Sequence, residues 1–275
     1  MNDKMFVDTH AHLQWASFDK DRKNALERAK EKRVTRIVNI GFDIAGSLKG
    51  ITLAENHKEL YATVGIHPHH ANKLNEKAVA KLKELATNPK VVAIGEIGLD
   101  YYRNLSAKEV QKQAFETQLA LAQELKLPVV IHDREAHDDI LQTLSTFKGK
   151  IKGIMHCFSG SREMAQECID LGFRISFAGN LTYPKAHGLR EIAEWIDLKN
   201  MLLETDCPWL APQDMRGKRN EPSFLPMIAQ EIANLKRVSV DDLAGATTKN
   251  AEAILKLTDS LSSAYDPRAL HYDQG

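Results

Sequence analysis

Six side chains able to bind metal ions follow, or close, short apolar runs that are typical of buried strands. They are His10, His12, Glu96, His132, His156 and Asp206. Imidazole and carboxylate groups at one end of many parallel strands converge in a (β/α) barrel, whose active site lies at the C-terminal face of the strands. Four histidines and two carboxylates exceed the ligands of one tetrahedral ion and suit two adjacent ions. The set therefore predicts a binuclear metallohydrolase.

The spacing of these residues supports a metal site over other roles. His10 and His12 lie two residues apart after the first apolar run, so the period of a strand places both on one face. A chance His-x-His pair is the alternative. Glu96 has small neighbours that allow close approach, and its alternative role is to cap the next helix. His132 and His156 could each be core histidines with satisfied hydrogen bonds, but two of them after strand runs favour ligation.

Other acidic residues lie close to the predicted ligands in sequence. Asp206 and Glu204 share one face of the eighth run, and two inward acids repel each other unless a cation or proton separates them. Asp206 stands nearer the C-terminal end and is the predicted ligand. Glu204 is predicted to support a ligand or to act as an auxiliary metal ligand. Asp100 either supports the metal-bridging residue or caps a helix.

Two loops contribute predicted substrate contacts. In the loop after the third run, His67 can reach a substrate oxygen, with a surface position as the alternative, whereas His69 and His70 are expected to face solvent. Loops after strands seven and eight of such barrels often bind phosphate, and arginine offers it two parallel donors. A charged run can be merely solvated, but the run after the eighth strand would lie at the mouth of the site. We therefore predict phosphate contacts from Arg216, Lys218 and Arg219.

Two cysteines, Cys157 and Cys207, directly follow predicted ligands. A nucleophilic cysteine needs a partner base and a lowered pKa, and neither sequence context supplies them. Successive strand residues point to opposite faces. Both cysteines are therefore predicted to be small buried side chains that face the helix layer.

Eight apolar runs alternate with helical segments, which indicates a parallel sheet with crossover helices. Eight units predict a single (β/α)8 barrel of the α/β class, a fold of about 250 residues. The clearest helix spans 106–126, where Ser106 and Glu109 match a capping box. We assign the barrel to residues 1–257 and an irregular tail to 258–275. The predicted strands span 5–7, 34–40, 60–65, 91–95, 128–131, 151–155, 173–176 and 201–205.

The composition limits the class of partner. The 275 residues include 37 Lys+Arg and 37 Asp+Glu, so the net charge is close to zero. A protein that coats long duplex DNA neutralises phosphates and is normally basic. If the protein handles nucleic acid, it is therefore expected to bind an end or a short segment through a local patch and the metals. The odd number of cysteines, the absence of a signal-like N-terminus and the lack of a long apolar run predict a cytoplasmic protein without a membrane partner.

Several blocks of the chain together resemble the TatD-type deoxyribonucleases of the amidohydrolase superfamily. The resemblance extends in order from about residue 5 to 257. Its blocks are FVDTHAHL at 6–13, GIHPH at 65–69, AIGEIGLDY at 93–101, PVVIHDR at 128–134, HCFSG at 156–160, LETDCP at 203–208 and RGKRNEP at 216–222.

The resemblance implies a barrel with two divalent ions that hydrolyses phosphodiesters, as a 3′-to-5′ exonuclease on single-stranded DNA or RNA. It implies that His10, His12 and Asp206 hold one ion. It further implies that His132 and His156 hold the other, with Glu96 bridging the pair. Imidazole and carboxylate ligands suit Zn, Mn, Fe or Ni and also allow Mg.

These parts suggest a mechanism. Two cations lower the pKa of a bridging water, and Asp206 holds the resulting hydroxide and acts as general base. One ion, together with His67 or Arg216, stabilises charge on the phosphoryl oxygens. Trp209 or Tyr101 could stack on a base, although packing under a loop is the alternative for each.

Two other functions remain open. An amidohydrolase-type deacylase, for example one acting on aminoacyl-tRNA, would use the same metals on a carbonyl substrate. The basic loop favours the phosphoester, since a carbonyl substrate would not need it. A non-catalytic, metal-dependent binding module is the other alternative, and the intact set of six ligands argues against it.

Overall fold

Eight parallel strands, hydrogen-bonded in chain order, build the barrel in the computed structural model, which describes residues 4–257. The predicted single (β/α)8 barrel is confirmed. The predicted tail, 258–275, lies outside the described residues. The strands are β1 (Phe6–Ala11), β2 (Val34–Asn39), β3 (Leu60–Val64), β4 (Val91–Asp100), β5 (Val129–Arg134), β6 (Gly153–Met155), β7 (Phe173–Phe177) and β8 (Met201–Leu203).

Helices follow the strands and form the outer layer. Within α4, Phe115, Leu119 and Ala122 are buried, as their spacing in the sequence predicts. Full burial of a large apolar side chain contributes about 1.5–3 kcal/mol. The helices are α1 (Arg22–Glu31), α2 (Ile44–Asn56), α3 (Glu76–Leu85), α4 (Lys108–Leu125), α5 (His137–Thr146), α6 (Arg162–Asp170), α7 (His187–Trp195), α8 (Leu225–Lys236) and α9 (Val240–Leu255).

The first and last strands meet at a seam that also carries predicted ligands. Ala11 pairs with Cys207 in a parallel bridge. The backbone N–H of Asp206 donates to the carbonyl of His10 at 2.8 Å, and the N–H of His12 donates to the carbonyl of Cys207 at 2.8 Å. The contacts that close the barrel therefore also set the positions of His10, His12 and Asp206 relative to one another.

Strand β4 is longer than predicted, and Glu96 lies within it rather than at its end. The predicted strand ends at Gly95, because glycine has a low propensity for strands. Here Gly98 is needed because a Cβ atom on it would come within 2.0 Å of the carbonyl oxygen of His132 on β5. Its φ of +139° is also one that side-chain-bearing residues rarely adopt. The glycine thus permits the close strand approach that brings Glu96 and His132 together.

The predicted capping box at the start of α4 is wrong. The helix begins at Lys108, and its N-cap residue makes no side-chain capping bond. The Ser106 hydroxyl instead donates to the carbonyl of His69 at 3.4 Å. Helices α1 and α7 were not predicted, and α1 buries only Ala25, Leu26 and Ala29, too little apolar surface for a strong periodic signal. Within residues 4–257, no helix is long and apolar enough to cross a membrane.

Candidate metal centre

Four predicted ligand atoms, one each from His10, His12, Glu96 and Asp206, form a compact cage. The Nε2 atoms of His10 and His12 lie 3.1 Å apart. They lie 3.5 and 3.8 Å from Oε2 of Glu96 and 3.7 and 3.6 Å from Oδ1 of Asp206. An ion with four tetrahedral bonds of about 2.1 Å holds neighbouring ligand atoms about 3.4 Å apart. The cage therefore has the dimensions of a single divalent-ion site.

The second oxygen of Glu96 faces a different set of imidazoles. Oε1 of Glu96 lies 2.7 Å from Nδ1 of His132, 3.5 Å from Nε2 of His67 and 3.7 Å from Nε2 of His156. One buried carboxylate thus offers one oxygen to each of two imidazole groups. His67, predicted as a substrate contact, lies in this second group, within metal-ligating reach of His132 and Glu96.

Asp100 takes a role close to, but different from, the two that the sequence left open, because it contacts the predicted ligand His132 rather than Glu96 and holds a turn rather than a helix. Its Oδ2 lies 3.3 Å from Nε2 of His132 and 2.7 Å from Nε2 of His69, while Oδ1 accepts from the backbone N–H of Arg103 at 2.7 Å. It therefore orients a predicted ligand and also holds the turn after β4. The expectation that His69 faces solvent is wrong, because its ring is half-buried against this carboxylate.

Glu204 is fully buried and orients His156. Its Oε1 lies 2.7 Å from Nδ1 of His156 and accepts from the N–H of Cys157 at 2.7 Å, and its Oε2 accepts from the Ser176 hydroxyl at 2.6 Å. Carboxylates that hold the far nitrogen of a metal-binding histidine fix its ring orientation. His156, Cys157 and Glu204 also place ligand atoms within 4.8 Å of one another, which leaves the auxiliary-ligand role available.

The two cysteines differ from each other. Cys207 is buried in the hydrophobic core, as predicted. Cys157 was predicted to face the helix layer, and this is wrong because its sulfur lies within 4.8 Å of ligand atoms of His156 and Glu204. Strand alternation no longer applies there, since β6 ends at Met155 and Cys157 adopts a left-handed φ of +43°. Burial raises the pKa of both thiols well above its ordinary value, and neither is a ready thiolate near neutral pH.

The electrostatics of the cluster fit divalent cations. Burial raises the pKa of the Asp206 carboxyl to about 8 and lowers that of His67 to about 4. Burial also acts to raise the pKa of Glu96, but the surrounding imidazoles outweigh it and hold that pKa well below its ordinary value. Buried carboxylates are costly unless a cation or a proton neutralises them. Two facing imidazole nitrogens beside two such carboxylates match the donor set of Zn, Mn, Fe or Ni.

Two buried residues that the sequence did not single out hold the Asp206 turn. The Asp8 carboxylate accepts from the N–H and hydroxyl of Thr205 at 2.9 and 2.6 Å. The Asn220 side-chain amide donates to the carbonyls of Thr205 and Trp209 at 2.7 and 2.6 Å. Asp8 lies two residues before His10 on β1 and therefore points to the same face of the strand, a signal that could have identified it. Asn220 stands within the RGKRNEP block, but its local sequence gives no geometric sign of this role.

The three predicted phosphate contacts occupy different environments. Arg219 donates to both carboxylate oxygens of Asp21, at 2.6 and 2.8 Å, and to the carbonyl of Ser17 at 2.6 Å. The Arg216 guanidinium lies 4.3 Å from the ring centroid of Tyr183 and is exposed, as is Lys218. Phosphate contact stays a prediction for all three, and the paired Arg219 also ties the loop after β8 to the segment before α1.

The ion pair of Arg219 predicts a specific acid response. Hydrogen bonds from Arg219 lower the pKa of Asp21 from 3.8 to about 2. A depressed carboxyl pKa stabilises the folded state above the unfolded-state value, and this contribution disappears as the pH falls toward the folded-state value. Arg219→Ala should therefore lower the free energy of unfolding at pH 7, with the deficit shrinking between about pH 4 and pH 2. Urea denaturation across this range measures the effect. Lys218→Ala is the matched control and should show no deficit; a deficit for Arg219→Ala that does not change with pH would contradict the assignment.

The comparison with known proteins places this site in a family. The model of the family described as TatD related DNase matches residues 7–256 of the chain. The chain belongs to the TatD-related DNase family. As a member, it is a metal-dependent hydrolase that acts on phosphodiester bonds.

Individual relatives cover nearly the whole chain. A Bacillus subtilis (strain 168) protein named uncharacterized metal-dependent hydrolase YabD is 42% identical over 254 residues, covering 92% of this chain and 100% of its own. An Erwinia amylovora protein named 3′-5′ ssDNA/RNA exonuclease TatD is 40% identical over 257 residues, covering 91% and 99%. The crystal structure of YJJV, a TatD homologue from Escherichia coli K12, superposes with a TM-score of 0.87 at 31% identity, covering 92% and 98%.

Proposed function

We propose that this chain is an exonuclease that removes nucleotides from the 3′ end of single-stranded DNA or RNA, using two divalent ions. The observation that carries the proposal is the position of Glu96: Oε2 lies beside His10 and His12, whereas Oε1 lies beside His132, His67 and His156. The Erwinia relative, 40% identical and named for this activity, supports the substrate and the polarity.

Six side chains would hold the two ions. The ligand atoms of His10, His12 and Asp206 lie within 4.8 Å of one another, as do those of His67, Glu96 and His132 and those of His10, Glu96 and His156. We assign His10, His12 and Asp206 to one ion and His132 and His156 to the other, and Glu96 would contact both. When bound, the ions would make a water molecule more acidic and neutralise charge on the phosphoryl group. The carboxylates Asp100 and Glu204 would keep the rings of His132 and His156 in their ligating orientation.

Asp206 is the residue best placed to take a proton from the attacking water. Its Oδ1 borders the His10 and His12 nitrogens, and its side chain is largely buried. The backbone N–H of Asp206 donates to the His10 carbonyl, and its own carbonyl accepts from the N–H of Trp209 at 3.0 Å. These bonds hold the backbone that carries the carboxylate, and a positioned base within hydrogen-bond reach of its proton contributes about 10²–10⁴-fold to a rate. His67, kept neutral at pH 7 by burial, can donate a hydrogen bond to a phosphoryl oxygen.

The test is the product pattern on end-labelled strands. With two equivalents of Mn²⁺ or Zn²⁺ per chain, a 5′-labelled single-stranded oligonucleotide should yield a ladder that shortens stepwise from the 3′ terminus, and a blunt duplex should be cut much more slowly. Cleavage of closed circular single strands at a comparable rate would show an endonuclease instead. Deacylation of charged tRNA without strand cleavage would support the deacylase.

Arg216 and Lys218 are expected to hold the substrate backbone. The double variant Arg216→Ala/Lys218→Ala should raise KM for oligonucleotides and reduce the salt dependence of binding, because each lost phosphate contact lowers the salt slope by about one. The rate on a small phosphodiester should fall much less, since the metal ligands are intact. Arg219→Ala is the comparison variant, because its ion pair with Asp21 holds the loop. Equal losses on both substrates would show that the loop shapes the site rather than binding phosphate.

A further inference from the structure

Two exposed tryptophans stand side by side at the edge of the metal centre. Trp15 is 38% exposed and Trp209 is 44% exposed, although tryptophan is on average a highly buried residue. Their ring centroids lie 5.3 Å apart with the ring planes at 65°. Phe42 adds a third ring, 5.2 Å from Trp15. We call Trp15, Phe42 and Trp209 the aromatic platform.

The platform is continuous with a predicted ligand. The ring centroid of Trp209 lies 5.1 Å from that of His12, and the ring of Phe42 lies 5.9 Å from it. A row of rings therefore extends from the candidate metal cage to the protein surface. A group bound on the platform would lie directly beside a phosphodiester placed on the cage.

Both tryptophans are fixed by the same turns that fix the ligands. Trp15 follows His12 by three residues, and its backbone N–H donates to the His12 carbonyl at 3.1 Å. Trp209 follows Asp206 by three residues, and its backbone N–H donates to the Asp206 carbonyl at 3.0 Å. The amide of Asn220 binds the Trp209 carbonyl as well. The backbone that carries both indoles is thus held in place relative to the cage, and a preformed surface of this kind binds at low conformational cost.

The other aromatic residue proposed from the sequence does not share these properties. The Tyr101 hydroxyl donates to Asp139 at 2.6 Å, and the Lys108 ammonium lies 4.2 Å from its ring centroid. Its ring and hydroxyl are thus occupied within the protein. Among the described residues, neither Trp15 nor Trp209 donates an indole N–H hydrogen bond.

We propose that the aromatic platform binds the nucleobase next to the scissile phosphate, and that this base stacks on the face of one of the two indoles, Trp15 or Trp209, and contacts the edge of the other. This inference rests on the proposed exonuclease function. It adds that the enzyme recognises a base of the substrate as well as its phosphate. Three uncharged rings offer apolar, flat surface and no fixed charge, which suits a base rather than a phosphate. Stacking tolerates every base because each has a π face. The platform therefore explains how a chain of near-zero net charge can hold a strand end without sequence preference.

Tryptophan emission tests the contact directly and without catalysis. The chain contains three tryptophans, so a Trp195→Phe background leaves Trp15 and Trp209 as the only indole emitters. In EDTA, titration with a short oligothymidylate should quench this emission, whereas an abasic strand of the same length should not. Equal quenching by both strands, or none by either, would overturn the proposal. This readout is independent of whether the enzyme cleaves strands.

Kinetics provide the second arm. Trp15→Leu/Trp209→Leu keeps apolar bulk but removes the π faces, and its thermal unfolding should match the parent. KM for the oligonucleotide should rise by about five- to a hundred-fold. KM for the abasic strand, which has phosphodiesters but no bases, should stay the same, and Trp209→Phe should restore part of the lost affinity. An unchanged KM for the oligonucleotide would refute base binding by the platform but would not contradict the proposed exonuclease activity. Failure of every strand to be cleaved, with quenching retained, would refute the exonuclease but not base binding.

Discussion

Replacing Glu96 with glutamine should remove nearly all hydrolytic activity while the barrel stays folded. Glutamine keeps the shape of the side chain but carries no negative charge to share between the two imidazole groups. Because loss of a residue that merely orients a ligand costs about 10–100-fold in metal affinity or activity, loss of the shared ligand should exceed a hundred-fold. Metal content should fall from two ions per chain to one or none.

Elemental analysis and a nuclease assay on the same preparation check this expectation. Glu124→Gln, which loses only an exposed ion pair with Lys83 on the helix layer, is the matched control and should behave as the parent. Circular dichroism and thermal unfolding establish that the barrel persists. Near-normal turnover by the Glu96→Gln protein would refute the binuclear assignment.

Asp206→Asn should reduce kcat by about 10²–10⁴-fold, the usual contribution of a positioned general base. Asparagine can still occupy the Asp206 position but cannot accept the proton at neutral pH. The proposed roles of Asp206 as ligand and as base separate under excess metal. If the residue acts only as a ligand, saturating Mn²⁺ or Zn²⁺ should restore activity; if it acts as base, the loss should persist with both ions bound. Restoration to parental kcat would therefore remove Asp206 from the proton transfer.

The fold and the list of ligands could be predicted from the sequence for a physical reason. In a parallel barrel the C-terminal ends of all strands lie on one face, so residues after successive apolar runs converge whatever their separation along the chain. The convergence of His10 and Asp206 follows from this rule. The assignment of individual oxygens on Glu96 does not, because it depends on the close approach of β4 and β5 at Gly98.

The errors in the prediction concern residues where regular periodicity stops. Cys157 reverses direction because its backbone turns left-handed after β6. His69 turns inward because its ring nitrogen Nε2 lies within hydrogen-bond distance, 2.7 Å, of a carboxylate oxygen of Asp100, which is distant in sequence. One further contact was not predicted and contradicts no prediction: Arg219 pairs with Asp21, nearly two hundred residues earlier in the chain, which no local pattern reveals. Each of these features depends on a long-range partner or on a single backbone angle.

The seam between β1 and β8 has a consequence for the protein during its synthesis. Two ligands of the candidate cage, His10 and His12, emerge first, but Asp206 and the Asn220 amide that holds its turn come from the far end of the barrel sequence. A nascent or prematurely terminated chain that ends before Asp206 lacks one of the four ligands of the cage, and it also lacks the hydrogen bonds that close the seam. The cage can therefore be completed only after almost the whole barrel has been made, so incomplete translation products are not expected to carry stray hydrolytic activity.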